Sequence, residues 1–128
     1  MPDTAVLDSS AVLALLQNEA GAAIVGQLVH SALLSAVNLT EVYSKLIGKG
    51  LSAPFTWQRI SSLQCGVCSY SGEQARIAAE LIPITRPFGL SLGDRACLAL
   101  AIERKATVYT TDRVWKKLSL GIEIEVIR

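Results

Sequence analysis

The sequence predicts one α/β domain over residues 1–128, a three-layer sandwich with a central, mostly parallel sheet and helices on both faces. Three observations predict it. Short apolar runs alternate with segments of helical apolar spacing from one end of the chain to the other. Hydrophobic residues make up 51% of the chain but aromatics only 5%, so Ala, Leu, Ile and Val must fill the core, which suits tight helix-on-sheet packing. The 128 residues show no repeat, linker or low-complexity tract and are enough to bury one core.

The elements follow in order. "AVLD" at 5–8 reads as a short buried strand, and "SSAVLALLQNE" sets Val12, Leu13, Leu15 and Leu16 at helical spacing. After Gly21, "AAIVGQLV" resumes as a second helix. "SALLSAV" at 31–37 reads as a second strand, and "NLTEVYSKLIGKG" as a third helix stopped by Gly48 and Gly50. "SAPFTWQRISSLQC" is helical, with Pro54 near its start, where proline is tolerated. "GVCSYS" alternates like a strand. "GEQARIAAELI" is a helix closed by Pro83, and "TRPFGL" a loop. "SLGDRACLALAIERK" is a helix with an apolar block from Ala96 to Ile102. "ATVYTTD" is a strand, "RVWKKL" a short helix, and "GIEIEVIR" a closing strand.

Composition bounds the function. A net charge of +1 excludes binding of nucleic acid through the overall field, so any phosphate contact must come from a local patch or a metal. Three cysteines, Cys65, Cys68 and Cys97, give an odd count and no disulfide framework, which points to a reducing compartment. "CGVC" has C-x-x-C spacing, but zinc needs two more ligands and no second pair exists. No basic stretch precedes the first apolar segment, and no run approaches the roughly 20 apolar residues of a membrane span. The expectation is a cytoplasmic protein with no membrane role.

The chain has four aspartates, and three of them sit where elements begin: Asp8 after the first strand, Asp94 after "SLG", Asp112 after "VYTT". Glu41 takes a similar place after "NLT". In an open parallel sheet the carboxyl ends of the strands and the starts of the helices share one edge, where ligands bind, so these residues converge if the fold is right. Each also has a local explanation. Ser91 and Asp94 form an S-x-x-D capping pattern, Asn38 and Glu41 an analogous one, and Asp8 and Asp112 suit helix N-caps. Capping alone accounts for any single acid but not for four on one edge, which repel one another and resist ionisation when buried. A hard divalent cation, Mg²⁺ or Mn²⁺, reverses that cost.

Four blocks, "VLDSSAVLALL", "SAVNLTEVYSKL", "GLSLGDRACLALA" and "VYTTDRVWKKL", in this order and spacing, resemble the PIN domain, and more specifically the VapC-type toxins of toxin–antitoxin pairs. The resemblance spans nearly the whole chain. It implies a metal-dependent endoribonuclease with Asp8, Glu41, Asp94 and Asp112 as the catalytic and metal-binding set, a homodimer, and a cognate antitoxin that covers the cleft. Many relatives carry a further acid after the last block; here that region reads "RVWKK", with Trp115 and no carboxylate.

On this reading Asp8, Asp94 and Asp112 hold Mg²⁺ or Mn²⁺ directly or through water, and Glu41 completes the site or positions the attacking water. Ser10 and Thr110 either hold the carboxylates by hydrogen bonds or serve local turns. Lys45, Arg95 and Arg113, with Lys116 and Lys117, stand near the acids in sequence and are candidates for RNA phosphate contacts, or else solvated surface. His30, the sole histidine, lies between segments and has no assigned role. Tyr43, Phe55 and Trp57 suit either an interface or the core. Two rival classes are a PIN-like binding module without catalysis and an aspartate phosphatase or phospho-receiver. The phosphatase wants an acid where Ser10 stands; the receiver wants paired early acids, and Asp3 lies close to the terminus.

Overall fold

A computed structural model describes residues 4–128, which leaves Asp3 outside the described residues. Five strands, β1 (Ala5–Leu7), β2 (Leu33–Ser35), β3 (Gly66–Cys68), β4 (Thr107–Thr110) and β5 (Ile124–Val126), form one sheet in the order β3-β2-β1-β4-β5. Every pairing is parallel. Among the described residues, seven α-helices connect and cover them: α1 (Ser9–Leu16), α2 (Ala22–Leu28), α3 (Ala36–Gly48), α4 (Ala53–Ser62), α5 (Gly72–Glu80), α6 (Ile82–Thr85) and α7 (Leu92–Arg104).

The period of two along each strand sorts side chains into two cores. Ala5 and Leu7 of β1 and Leu34 of β2 face one layer, with Val12 and Leu16 of α1, Val25 of α2, Val42 and Leu46 of α3 and Ile60 of α4. Val6 of β1 and Val108 of β4 face the other, with Leu98 and Leu100 of α7, Leu81, Trp115 and Ile124. β1 lies at the centre of the sheet, and Val6 and Leu7 are fully buried. Burial of each side chain of this size contributes roughly 1.5–3 kcal/mol. A strand shielded on both faces needs a continuous apolar run, which "AVL" supplies. The polar residue that follows, Asp8, sits at the protected carboxyl edge, its N–H continuing the ladder to the Tyr109 carbonyl at 3.2 Å.

Several elements differ from the sequence expectation. The second strand ends at Ser35, and the third helix starts at Ala36. Ser35 is its N-cap, its Oγ accepting from the Val37 N–H at 3.2 Å, so the apolar Ala36 and Val37 that look strand-like form the first helical turn. Asn38 is therefore inside the helix and does not cap it. Pro83 does not end the chain's helical course: it lies in the first turn of α6, where its missing N–H costs nothing. "TRPFGL" contains a 3-10 turn, Arg86–Phe88, closed by Gly89 at φ 71°. The stretch "RVWKK" also forms a 3-10 turn, Arg113–Lys117. Trp115 in it is fully buried in the second core, a place where an unpaired carboxylate would be costly.

Among the described residues, no helix is long and apolar enough to cross a membrane. The three cysteines are free, with Cys97 fully buried in α7.

Candidate active site

Asp8 leaves the end of β1 in extended geometry (φ −86°, ψ 176°) and caps α1. Its Oδ1 accepts from the Ala11 N–H at 2.8 Å and from the Ser10 hydroxyl at 2.7 Å. Its Oδ2 accepts from the Thr110 hydroxyl, at the end of β4, at 2.6 Å. The residue is only 4% exposed. Burial raises its pKa from the ordinary 3.8 to about 6. The hydrogen bonds from Thr110, Ser10 and Ala11 work against that rise, and the charge of Asp94 adds to it.

Asp94 is the third residue of α7. It forms a reciprocal capping box with Ser91: Asp94 N–H donates to the Ser91 hydroxyl at 3.2 Å, and the Ser91 N–H donates to Asp94 Oδ2 at 2.9 Å. Its pKa is also raised, first by burial and then by the charges of Glu41 and Asp112, with the bonds to Ser91 opposing. Asp112 caps the 3-10 turn after β4, its Oδ1 accepting from the Val114 N–H at 3.0 Å. Glu41 projects from α3, its Oε1 accepting from the Asn38 amide at 2.8 Å and from the Ser9 hydroxyl at 2.5 Å.

The four acids thus leave β1, α3, α7 and the end of β4 and line a single cleft of about 260 Å³, together with Ser9, Ser10, Leu13 and Lys45. Beneath it lies Cys97, whose thiol is pushed well above its usual range by burial and then by the charges of Asp8, Asp94 and Glu41. The cleft grades from a buried Asp8 through a half-buried Asp94 to an exposed Glu41 and Asp112.

Of the basic residues singled out from sequence, only Lys45 lines the cleft. Arg95 turns away, donating from Nη1 to the Ala78 carbonyl near the end of α5 at 3.0 Å. Arg113 donates to the Arg128 carbonyl at 3.3 Å, and Lys116 and Lys117 lie outside the lining. His30 is exposed in the 3-10 turn Val29–Ser31, away from the cleft. Ser10 and Thr110 both donate to Asp8, and Thr110 Oγ1 also accepts from the Asp112 N–H at 3.1 Å, so one hydroxyl links two of the acids.

The donor set suits a divalent cation. Among the described residues the ion pairs join Arg76 to Glu73 and Glu80, and Arg128 to Glu19; none involves the four acids. Their charge is left for something else to compensate. No three acids, cysteines or histidines among the described residues already stand close enough to share one ion. The carboxylate oxygens are the hard donors that a divalent cation such as Mg²⁺ takes.

Sequence reasoning missed three contributors. Ser9 sits beside Asp8, but only the fold turns it toward Glu41. Asn38 reads as a helix cap until the helix start is known. Gly93 lies in the first turn of α7, and a Cβ there would overlap the Glu41 carboxylate. A glycine just before Asp94 in the first turn of the helix was the available signal.

Fold and cleft together define an α/β protein with an acidic site at the carboxyl edge of a parallel sheet. The sequence matches the PIN domain over residues 5–120, and the chain belongs to that family. Solved structures agree at the level of fold. VapBC2 from Rickettsia felis, bound to a DNA fragment from its promoter, matches with a TM-score of 0.74 at 16% identity, covering 95% of this chain and 97% of that one. DNA-bound VapBC from Salmonella typhimurium gives 0.75 at 18%, covering 97% and 98%. VapBC-5 from Mycobacterium tuberculosis gives 0.61 at 21%, covering 99% of each. Comparison with curated protein sequences gives no match.

Proposed function

We propose that this chain is a Mg²⁺-dependent endoribonuclease and the toxin of a toxin–antitoxin pair. The observation that carries the reading is the meeting of Asp8, Glu41, Asp94 and Asp112 on one cleft with, among the described residues, no cationic side chain paired to them. A phosphodiester is anionic and repels nucleophiles, so an acidic cleft serves hydrolysis only when positive charge is brought in. A bound divalent ion supplies that charge and makes a coordinated water more acidic.

The protein's own groups do the rest. Asp8, Asp94 and Asp112 would hold the ion directly or through water. Thr110 and Ser10 orient Asp8 and keep both its oxygens in place. Glu41, exposed to solvent, would orient a water toward phosphorus or accept its proton. Lys45, which lines the cleft, would receive a substrate phosphate. A phospho-receiver or phosphatase fits less well: the hydroxyl at the position where a phosphatase wants an acid, Ser10, commits its proton to Asp8.

The toxin assignment draws on the VapBC complexes that share this fold. Phe55 and Trp57 of α4 are 51% and 46% exposed, and Ile47 and Leu51 nearby are also exposed, which gives a cognate antitoxin or a second copy an apolar surface to cover. The site of action would be the cytoplasm. The test is cleavage of a structured RNA in Mg²⁺, in EDTA, and by Asp8→Asn. Cleavage that needs Mg²⁺ and disappears in a folded Asp8→Asn supports the reading; full activity of that variant or in EDTA refutes it.

A further inference from the structure

Glu41 differs from the other three acids. Asp8, Asp94 and Asp112 each accept a backbone N–H of the helical turn they begin or flank, so local structure fixes them. Glu41 lies past the first turn of α3 and accepts no backbone hydrogen bond among the described contacts. A long exposed glutamate left to itself samples many rotamers. Here its carboxylate is held by three elements. Asn38 Nδ2 donates to Glu41 Oε1 at 2.8 Å and to the Gly93 carbonyl of α7 at 3.1 Å. The Ser9 hydroxyl of α1 donates to the same Oε1 at 2.5 Å. Gly93 offers its bare Cα, and the carboxylate occupies the place a side chain would take.

We infer that Asn38 and Gly93 are positioning residues that act through Glu41: Asn38 and Ser9 engage Oε1, Gly93 leaves room for the carboxylate, and Oε2 is left for the ion or its water. This rests on the metal-dependent reading of the cleft. Asn38 is 1% exposed, and its Oδ1 is buried without a partner. A buried amide that spends its donor on Glu41 and α7 while leaving its acceptor unsatisfied is poorly explained by stability alone. Gly93 points the same way. Glycine in a helix is less favourable than alanine, and the three atoms nearest to where an alanine Cβ would stand all belong to the Glu41 carboxylate. A methyl group at this position requires the Glu41 carboxylate to move.

The test is a double-mutant cycle read by Mn²⁺ titration of the metal-free protein, with free Mn²⁺ followed by electron paramagnetic resonance, and by thermal melting. Gly93→Ala is expected to melt no lower than the wild type and to bind Mn²⁺ about 10-fold more weakly, the scale seen when a group supporting a metal ligand is removed. In a Glu41→Gln background the same change is expected to alter Mn²⁺ affinity by less than about twofold, because the route is already cut. Asn38→Ala is expected to weaken Mn²⁺ binding with the same dependence on Glu41, at a lower melting temperature because a buried donor is lost, and serves if Gly93→Ala fails to fold. Wild-type affinity in folded Gly93→Ala and Asn38→Ala, or losses that multiply with that of Glu41→Gln, overturns the inference and leaves the metal reading standing. A wild-type protein that binds no Mn²⁺ overturns both.

Discussion

Thr110 donates its hydroxyl to Asp8 Oδ2 at 2.6 Å, joining residues 102 positions apart in sequence. The contact exists because β4 lies beside β1 in parallel register, with Leu7 opposite Tyr109, so the residues that follow emerge side by side at the same edge. The same Thr110 oxygen accepts the Asp112 N–H at 3.1 Å. One buried hydroxyl therefore fixes the most enclosed acid of the cleft and the backbone of an exposed one.

Replacing Thr110 with Val keeps the shape and removes both functions. It leaves Asp8 Oδ2 short of a donor and the Asp112 N–H short of an acceptor, a cost of about 1–3 kcal/mol in stability. Mg²⁺ affinity should fall by roughly 10–100-fold, whereas Thr110→Ser, which retains the hydroxyl, should stay near wild type. Urea unfolding together with metal titration of the two variants checks this; a Thr110→Val protein with unchanged metal affinity would remove Thr110 from the site.

Asp8 makes stability depend on pH in a direction that metal reverses. In the metal-free protein its pKa is raised from 3.8 to about 6, chiefly by burial, so the folded state holds a proton that the unfolded chain releases. That contribution is fully present below about pH 4 and is lost as pH rises to about 6, at a cost of roughly 3 kcal/mol. Asp94, raised for the same reasons, adds to the trend. A bound cation favours the ionised carboxylates, so the gain in melting temperature from saturating Mg²⁺ should grow across this window and then level off. Asp8→Asn should melt higher than wild type at pH 7 without metal and gain less from Mg²⁺. Melting curves at pH 4, 5, 6 and 7 with and without Mg²⁺ decide the matter.

The sequence carried the layer order and the acids because both rest on strong local signals. Alternating apolar periods identify strands and helices, and carboxylates after strands fall at one edge once the sheet is parallel. What stayed hidden depends on tertiary geometry. The apolar Ala36 and Val37 extend equally well as strand or helix, and Ser35 decides between them only as a cap, which displaced Asn38 from the cap to the site. Arg95 follows Asp94 directly, but on a helix successive residues lie about 100° apart, so its side chain leaves on another face and meets α5. Ser9 and Gly93 matter only because α1 and α7 both approach Glu41 on α3.

Ser91→Ala separates capping from chemistry at Asp94. The substitution removes the acceptor of the Asp94 N–H and should destabilise the protein by about 0.5–2 kcal/mol. The Asp94 carboxylate keeps its bond from the Ser91 backbone N–H at 2.9 Å, which alanine retains. Cleavage at a temperature well below the transition should therefore change by less than about threefold. A loss as deep as that of Asp94→Asn, in protein shown to be folded, would mean that the Ser91 hydroxyl itself serves the reaction.

Lys45 and Arg95 should part company in an RNA-binding measurement. Lys45 lines the cleft, is exposed, and makes no ion pair with the acids among the described residues, so its ammonium group is available to a phosphate. Lys45→Ala should weaken RNA binding and reduce the slope of log affinity against log salt concentration by about one, with stability nearly unchanged. Arg95 is committed to the Ala78 carbonyl near the end of α5, where a cation also meets the negative end of the helix dipole. Arg95→Ala should lower stability by about 1–2 kcal/mol and leave the salt slope alone. Fluorescence anisotropy with a labelled, uncleaved RNA, using Asp8→Asn as the background to prevent turnover, gives both slopes. Equal slopes for Lys45→Ala and its parent would take Lys45 off the RNA path, and a reduced slope for Arg95→Ala would show that its side chain leaves α5 when RNA arrives.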